Sequence, residues 1–181
     1  LLAPTGAGKT LSGFLPSLID LSHTPRTGLH TLYLSPIKAL AVDIARNLET
    51  PISEMGLAIS VETRTGDTPQ SERNRQRSAP PNMLMTTPES LELMLSWSDA
   101  EKLFSSLKLI IIDEIHTLSG TKRGDLLSLS LSALRHLATK SQSIGLSATV
   151  GAPERFRPWL SAQPEDVCIL QPELTKAIEL S

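Results

Sequence analysis

The first residues that could do chemistry are Ala3-Pro4-Thr5-Gly6-Ala7-Gly8-Lys9-Thr10. Except that Ala3 stands in the first position, they follow the spacing G-x-x-x-x-G-K-[ST] of a phosphate-cradling loop. Pro4 to Thr10 are the candidate phosphate-binding residues: Gly6 and Gly8 let the backbone wrap tightly, with amide N–H groups turned inward toward phosphate oxygens. A helix starting there points its positive end at the same place. Lys9 is placed to reach the β- and γ-phosphates of a nucleoside triphosphate, and the Thr10 hydroxyl to hold Mg²⁺.

About a hundred residues later, the apolar run Leu109–Ile112 ends in Asp113-Glu114-Ile115-His116. Carboxylates at the end of a buried strand are costly unless a cation or hydrogen bonds offset them. Asp113 is placed to hold Mg²⁺, and Glu114 to orient or deprotonate an attacking water. Lys9, Asp113 and Glu114 form the candidate catalytic set, converging on one triphosphate across neighbouring strand tips. Chemistry alone assigns no role to His116. Ser147-Ala148-Thr149, by itself, is a strand-end turn.

These residues need a scaffold that brings strand ends together, and the chain alternates short β-rich runs with helical patterns. That alternation is the signature of an α/β fold, a mainly parallel sheet with helices on both faces. Leu1–Ala3 reads as the end of a first strand. A helix is expected from Gly8 to about Leu21, with Leu11, Phe14, Leu15, Leu18 and Ile19 or Leu21 inward and Pro16 kinking it. Strands are expected at 29–34, 58–62, 82–85, 107–112 and 144–147, with a further one at 167–170. Helices are expected at 37–47, 70–77, 88–96, 125–137 and 153–160. Asp67 or Thr68 is expected to cap the helix at 70–77, and Pro88 to open the next. Ligands bind at the carboxyl ends of such strands, where all three motifs fall.

The 181 residues suffice for one domain with a sizeable core, and the formal net charge of −2 argues against a dedicated basic nucleic-acid binder. The single cysteine, Cys168, can form no internal disulfide and is expected to be a small buried hydrophobe in a cytoplasmic protein. The four histidines show no metal-ligand spacing, and no apolar stretch approaches the roughly 20 residues of a membrane span.

Ala3–Thr10, Asp113–His116 and Ser147–Thr149 resemble motifs I, II and III of superfamily-two helicases of the DEAD/DEAH-box type. Ser35-Pro36-Ile37-Lys38-Ala39-Leu40, Arg64-Thr65-Gly66-Asp67 and Thr86-Thr87-Pro88-Glu89 resemble the strand-contacting segments between them. The longer stretches 35–43 and 113–127 are most similar to the large helicase-related (Lhr) group, of the ligase-associated DEXH-box DNA helicase type. The resemblance implies a RecA-like P-loop domain, the first of two lobes. Residues 1–165 would form that lobe, N-terminally truncated, and 166–181 would lead as a last strand or linker to a second lobe. It implies ATP and Mg²⁺ as cofactors and single-stranded or partly duplex DNA as partner, RNA being possible. His116, Ser147 and Thr149 would couple nucleotide state to the strand, which Pro36, Lys38, Gly66, Asp67, Thr87 and Pro88 would contact. Such polar and backbone contacts grip phosphates without reading bases. Six aromatic side chains leave little for a stacking platform, and Arg73, Arg75 and Arg77 read as a solvated helix face.

Three functions compete on this footing. The first is an ATP-dependent DNA helicase or translocase lobe acting in DNA repair. The second is an RNA helicase or non-unwinding remodeller, and the third a silent nucleotide-binding scaffold. In related phosphoryl-transfer enzymes the arginines of a completing part supply about 10³ to 10⁵ in rate. The 181-residue chain alone is therefore expected to bind ATP weakly, hydrolyse it very slowly and leave duplexes intact. Turnover by this chain that single strands strongly stimulate would contradict that.

Overall fold

The computed structural model describes residues 1–3, 8–148 and 150–171. Pro4, Thr5, Gly6, Ala7 and Thr149 lie outside the described residues, as does most of the stretch 171–181. Five strands are β1 (Thr31–Leu34), β2 (Val61–Arg64), β3 (Met83–Thr86), β4 (Leu109–Ile112) and β5 (Gln142–Gly145). They form one sheet in the order β2-β3-β1-β4-β5, with every ladder parallel. Leu2 forms a further parallel bridge with Ser147, just past β5.

The helices are α1 (Lys9–His23), α2 (Lys38–Glu54), α3 (Gln70–Ser78), α4 (Pro88–Leu95), α5 (Ala100–Phe104), α6 (Ile115–Leu118), α7 (Lys122–Leu137) and α8 (Arg157–Leu160). Alternation along the strands divides them between the two faces. Leu32, Leu34, Leu84, Ile110 and Ile112 pack with α4, α5 and α7. Tyr33, Met83, Met85, Leu109 and Ile111 pack with Phe14, Leu18 and Leu21 of α1 and with Ala41, Ala45 and Leu48 of α2. Because both faces are covered, β1 and β4 are buried throughout, and β4 is a continuous apolar run.

Several expectations are corrected. Leu11, Leu15 and Ile19 of α1 are about half exposed, because Gly13 and Ser17 fill the close contact with the sheet between Phe14 and Leu18. The helix runs on through Pro16 to His23. Neither Asp67 nor Thr68 caps α3; the Thr68 hydroxyl accepts the Thr65 amide instead. Helices α5 and α6 were not foreseen, and residues 167–170 form no strand, although the Leu170 carbonyl accepts the Leu2 amide at 2.8 Å. Cys168 is exposed. The segment before the phosphate loop and β4 are not neighbours: β5 and Ser147 lie between them.

The turn from α6 into α7 is fixed by packing. Thr121 caps α7, its hydroxyl accepting the Gly124 amide. A Cβ on Gly124 would lie 2.1 Å from the Leu118 carbonyl oxygen and 2.8 Å from the Trp159 ring. A backbone oxygen cannot yield as a side-chain tip does, so Gly124→Ala should cost about 3 kcal/mol or more. In a thermal melt followed by circular dichroism that is a fall of roughly 6–12 °C. A wild-type midpoint would refute the clash.

Candidate nucleotide site and strand groove

One cleft of about 520 Å³ brings the catalytic candidates together. Gly8, Lys9, Thr10, Asp113 and Glu114 line it together with Leu11, Phe14, Leu40, Ile44 and Leu48 of α1 and α2. Gly8 has φ +73°, a left-handed conformation that glycine adopts freely, and it starts α1. Lys9, one residue on, is buried at 7% exposure, with its amine donating to the Ala3 carbonyl at 2.5 Å. Among the described residues it has no carboxylate partner, and a desolvated cation in the wall of a cleft favours an anion there.

Asp113 is buried at the tip of β4. One of its oxygens accepts the Glu114 amide at 2.8 Å, and the other accepts the Tyr33 hydroxyl in a short hydrogen bond. Tyr33 is fully buried, its ring 5.3 Å from that of Phe14 on α1. Sequence reasoning missed this residue; its place in the alternating β1 pattern shows burial but not a partner eighty residues away.

Glu114 has φ +46°, and among the described residues it is the one non-glycine in the left-handed region. Such a backbone costs on the order of 1 kcal/mol and persists only where the surroundings fix it. Here Ile115 donates to the Leu146 carbonyl, and Thr117 to the carbonyl of Glu114. The turn folds the chain back so that Nδ1 of His116 lies 3.3 Å from the Glu114 carboxylate and 3.2 Å from the Ser147 hydroxyl. Glu114, His116 and Ser147 thus form one chain of contacts from β4 to the end of β5.

A second cleft, about 590 Å³, lies along the tips of β1, β2 and β3. Pro36, Lys38, Gly66, Thr87, Glu89 and Arg123 are among its lining residues. The Lys38 amine contacts both carboxylate oxygens of Asp67, at 3.0 and 3.1 Å, with both side chains largely exposed. Thr87 caps α4 by accepting the Ser90 amide, and Pro88 is buried in its first turn. Pro88 therefore does not line this cleft, and the Thr87 hydroxyl already has a structural partner.

The arginines of α3 are not a free basic face. Arg73 donates to the carbonyls of Thr65, Gly66 and Thr68, while Arg75 pairs with Glu62 and Arg77 with Asp99. Arg64 lies over the Trp97 ring at 4.6 Å, and burial, then the charges of Arg73 and Arg77, bring its guanidinium down to about 10. These contacts fix the loop carrying Gly66 and Asp67. Among the described residues no helix is long and apolar enough to cross a membrane.

Comparison with known proteins agrees with this geometry. A family model described as DEAD/DEAH box helicase matches residues 1–156. The ATP-dependent helicase Lhr-Core of Methanothermobacter thermautotrophicus is 42% identical over 87% of this chain, which spans 20% of that protein. The Lhr helicase/uracil glycosylase of Escherichia coli is 44% identical over 83% of this chain, which spans 11% of it. The structure of Mycobacterium smegmatis helicase Lhr bound to ssDNA and AMP-PNP superposes with a TM-score of 0.81 and 46% identity, over 90% of this chain and 22% of that one. The chain is thus a small part of the length of the relatives it matches.

Burial pushes the Tyr33 phenol up, and the Asp113 carboxylate pushes it further. A raised folded-state value means that its contribution to stability is intact below the unfolded value, about pH 10, and is lost as pH rises beyond it. Tyr33 is the one tyrosine of the chain, so tyrosinate absorbance reports it alone. That absorbance should appear only together with alkaline unfolding. Ionisation near pH 10 in a folded protein would contradict the buried bond.

Proposed function

Because the chain belongs to the DEAD/DEAH box helicase family, we propose that it is the first motor lobe of an ATP-dependent DNA helicase or translocase. The observation that carries this reading is the shared cleft, lined by both Lys9 and the Asp113–Glu114 pair. Residues 1–165 would form the lobe, and a second lobe of the full-length protein would complete the site, which the much greater length of the relatives supports.

Lys9 would neutralise the β- and γ-phosphates, with the loop Pro4 to Gly8 around them and the amide N–H groups of Thr5 to Gly8 as its donors. Glu114, turned outward by its left-handed backbone, would orient the attacking water and take its proton. The oxygen donors of Thr10 and Asp113 fit Mg²⁺, which when bound would offset phosphate charge. His116 would report the state of Glu114 to Ser147, and Thr149 would continue that relay. On the other cleft, Lys38 would exchange its Asp67 partner for a strand phosphate. Pro36, Gly66 and Thr87 would line the strand's path, and Asp67 and Pro88 would support it.

DNA is the favoured strand because the Mycobacterium smegmatis relative, 46% identical, holds ssDNA. A role in DNA repair and a cytoplasmic location are part of the same proposal. ATP turnover by the full-length protein should be stimulated more by DNA than by RNA single strands. Lys9→Ala should lose nucleotide binding. Glu114→Gln should keep nucleotide binding and lose about 10² or more in turnover. Unchanged turnover in Glu114→Gln would leave a silent nucleotide-binding scaffold as the better reading.

A further inference from the structure

Arg123, the second residue of α7, holds two separate acceptors. Its Nε donates to Glu89 at 2.6 Å, and a terminal nitrogen donates to the Pro36 carbonyl at 2.9 Å. Pro36 follows β1, and Glu89 lies in the first turn of α4, after β3. Arg123 itself lies in the segment after β4 and the acid pair. One guanidinium therefore ties together three strand-tip segments, all of which line the strand cleft.

The path from the acid pair to this guanidinium is short and closely packed at its second half. It runs from Glu114 through α6 to the Thr121 cap, and the start of α7 is pressed onto the Leu118 carbonyl, with no room at Gly124 for a Cβ. The contacts of Thr121 and Gly124 with Leu118 thus join the segment that carries Glu114 to the one that carries Arg123. The Arg123 and Glu89 side chains are about half exposed, and an ion pair so exposed contributes little to stability. What an arginine fork supplies here is geometry, because a lysine cannot span a carboxylate and a carbonyl with fixed directions.

We infer that Arg123 is a positioning residue that couples nucleotide state at Asp113–Glu114 to the width of the strand cleft. It acts through Pro36 and Glu89 and does not itself grip the strand. The inference rests on the motor reading above. Its test is the affinity of the full-length protein for a fluorescent DNA single strand, measured by anisotropy with and without a non-hydrolysable ATP analogue.

In the wild type the analogue should change that affinity by about fivefold or more, within the usual range of coupling between sites. Arg123→Lys keeps the charge but loses the double bond. It should bring the change to within about twofold. Glu89→Gln should do the same, and the double variant should go no further. Arg123→Lys with the wild-type change would overturn the inference. So would an Arg123→Ala variant that binds DNA more weakly by one factor in both nucleotide states, because that marks a direct phosphate contact. A wild type that binds the analogue but shows no change at all would instead overturn the motor reading.

Discussion

The Tyr33–Asp113 hydrogen bond joins the parts of the molecule that have to act together. A carboxylate buried at a strand tip is unfavourable unless its oxygens are occupied. Here the Tyr33 hydroxyl and the Glu114 amide each occupy one. Tyr33 also stacks on Phe14 of α1, the helix whose first residue is Lys9. The same ring therefore fixes the acid on β4, sits in β1 and supports the helix behind the phosphate loop. With its orientation set by protein groups, Asp113 loses no side-chain freedom when a cation arrives, which is the physical content of a preorganised site.

The strand order adds a spacing requirement. Adjacent parallel strands lie about 4.8 Å apart, so one intervening strand separates two segments by roughly 10 Å. Neighbouring tips would have brought the Lys9 amine and the Asp113 carboxylate close enough to neutralise each other. With β5 and Ser147 between Leu2 and β4, the cation and the acid come from segments one strand position apart and line one cleft. The intervening position is occupied by Ser147, whose hydroxyl meets His116. The segment that separates the charges is also the one placed to sense them.

Much of this was readable from local pattern. The run Ile110–Ile112 could be a strand covered on both faces and little else, and the acid pair after it had to lie at its carboxyl end. Phe14, Leu18 and Leu21 follow helical spacing and are buried. Leu11, Leu15 and Ile19 follow it equally well and are exposed, because a helix on a sheet buries a narrow stripe and the closest contact went to Gly13 and Ser17. Periodicity reports that a stripe exists but not its centre. The residues that escaped detection, Tyr33, Glu89 and Arg123, share a different feature. Each owes its place to a partner 34 or more positions away in sequence, and no local spacing encodes such a pairing. The Gly66 loop was legible through the resemblance of Arg64–Asp67 to a strand-contacting segment, but its dependence on Arg73 was not, since three carbonyl contacts leave no mark on residue pattern.

The two clefts differ in the cost of changing partners. At the nucleotide end Lys9 and Asp113 are buried, so breaking their contacts without replacement would leave unpaired charge in a dry environment. At the strand end Lys38 and Asp67 are largely exposed, and such a pair is worth only about 0–1 kcal/mol. A phosphate can therefore displace Asp67 at little cost and depart again as cheaply. With a formal net charge of −2, the chain has no strong field to retain a strand once those contacts open. Tight, slow-changing contacts in the first cleft beside weak, quickly exchanged ones in the second are what the proposed stepping motor would require: it would hold its fuel through the chemistry and release its track afterwards.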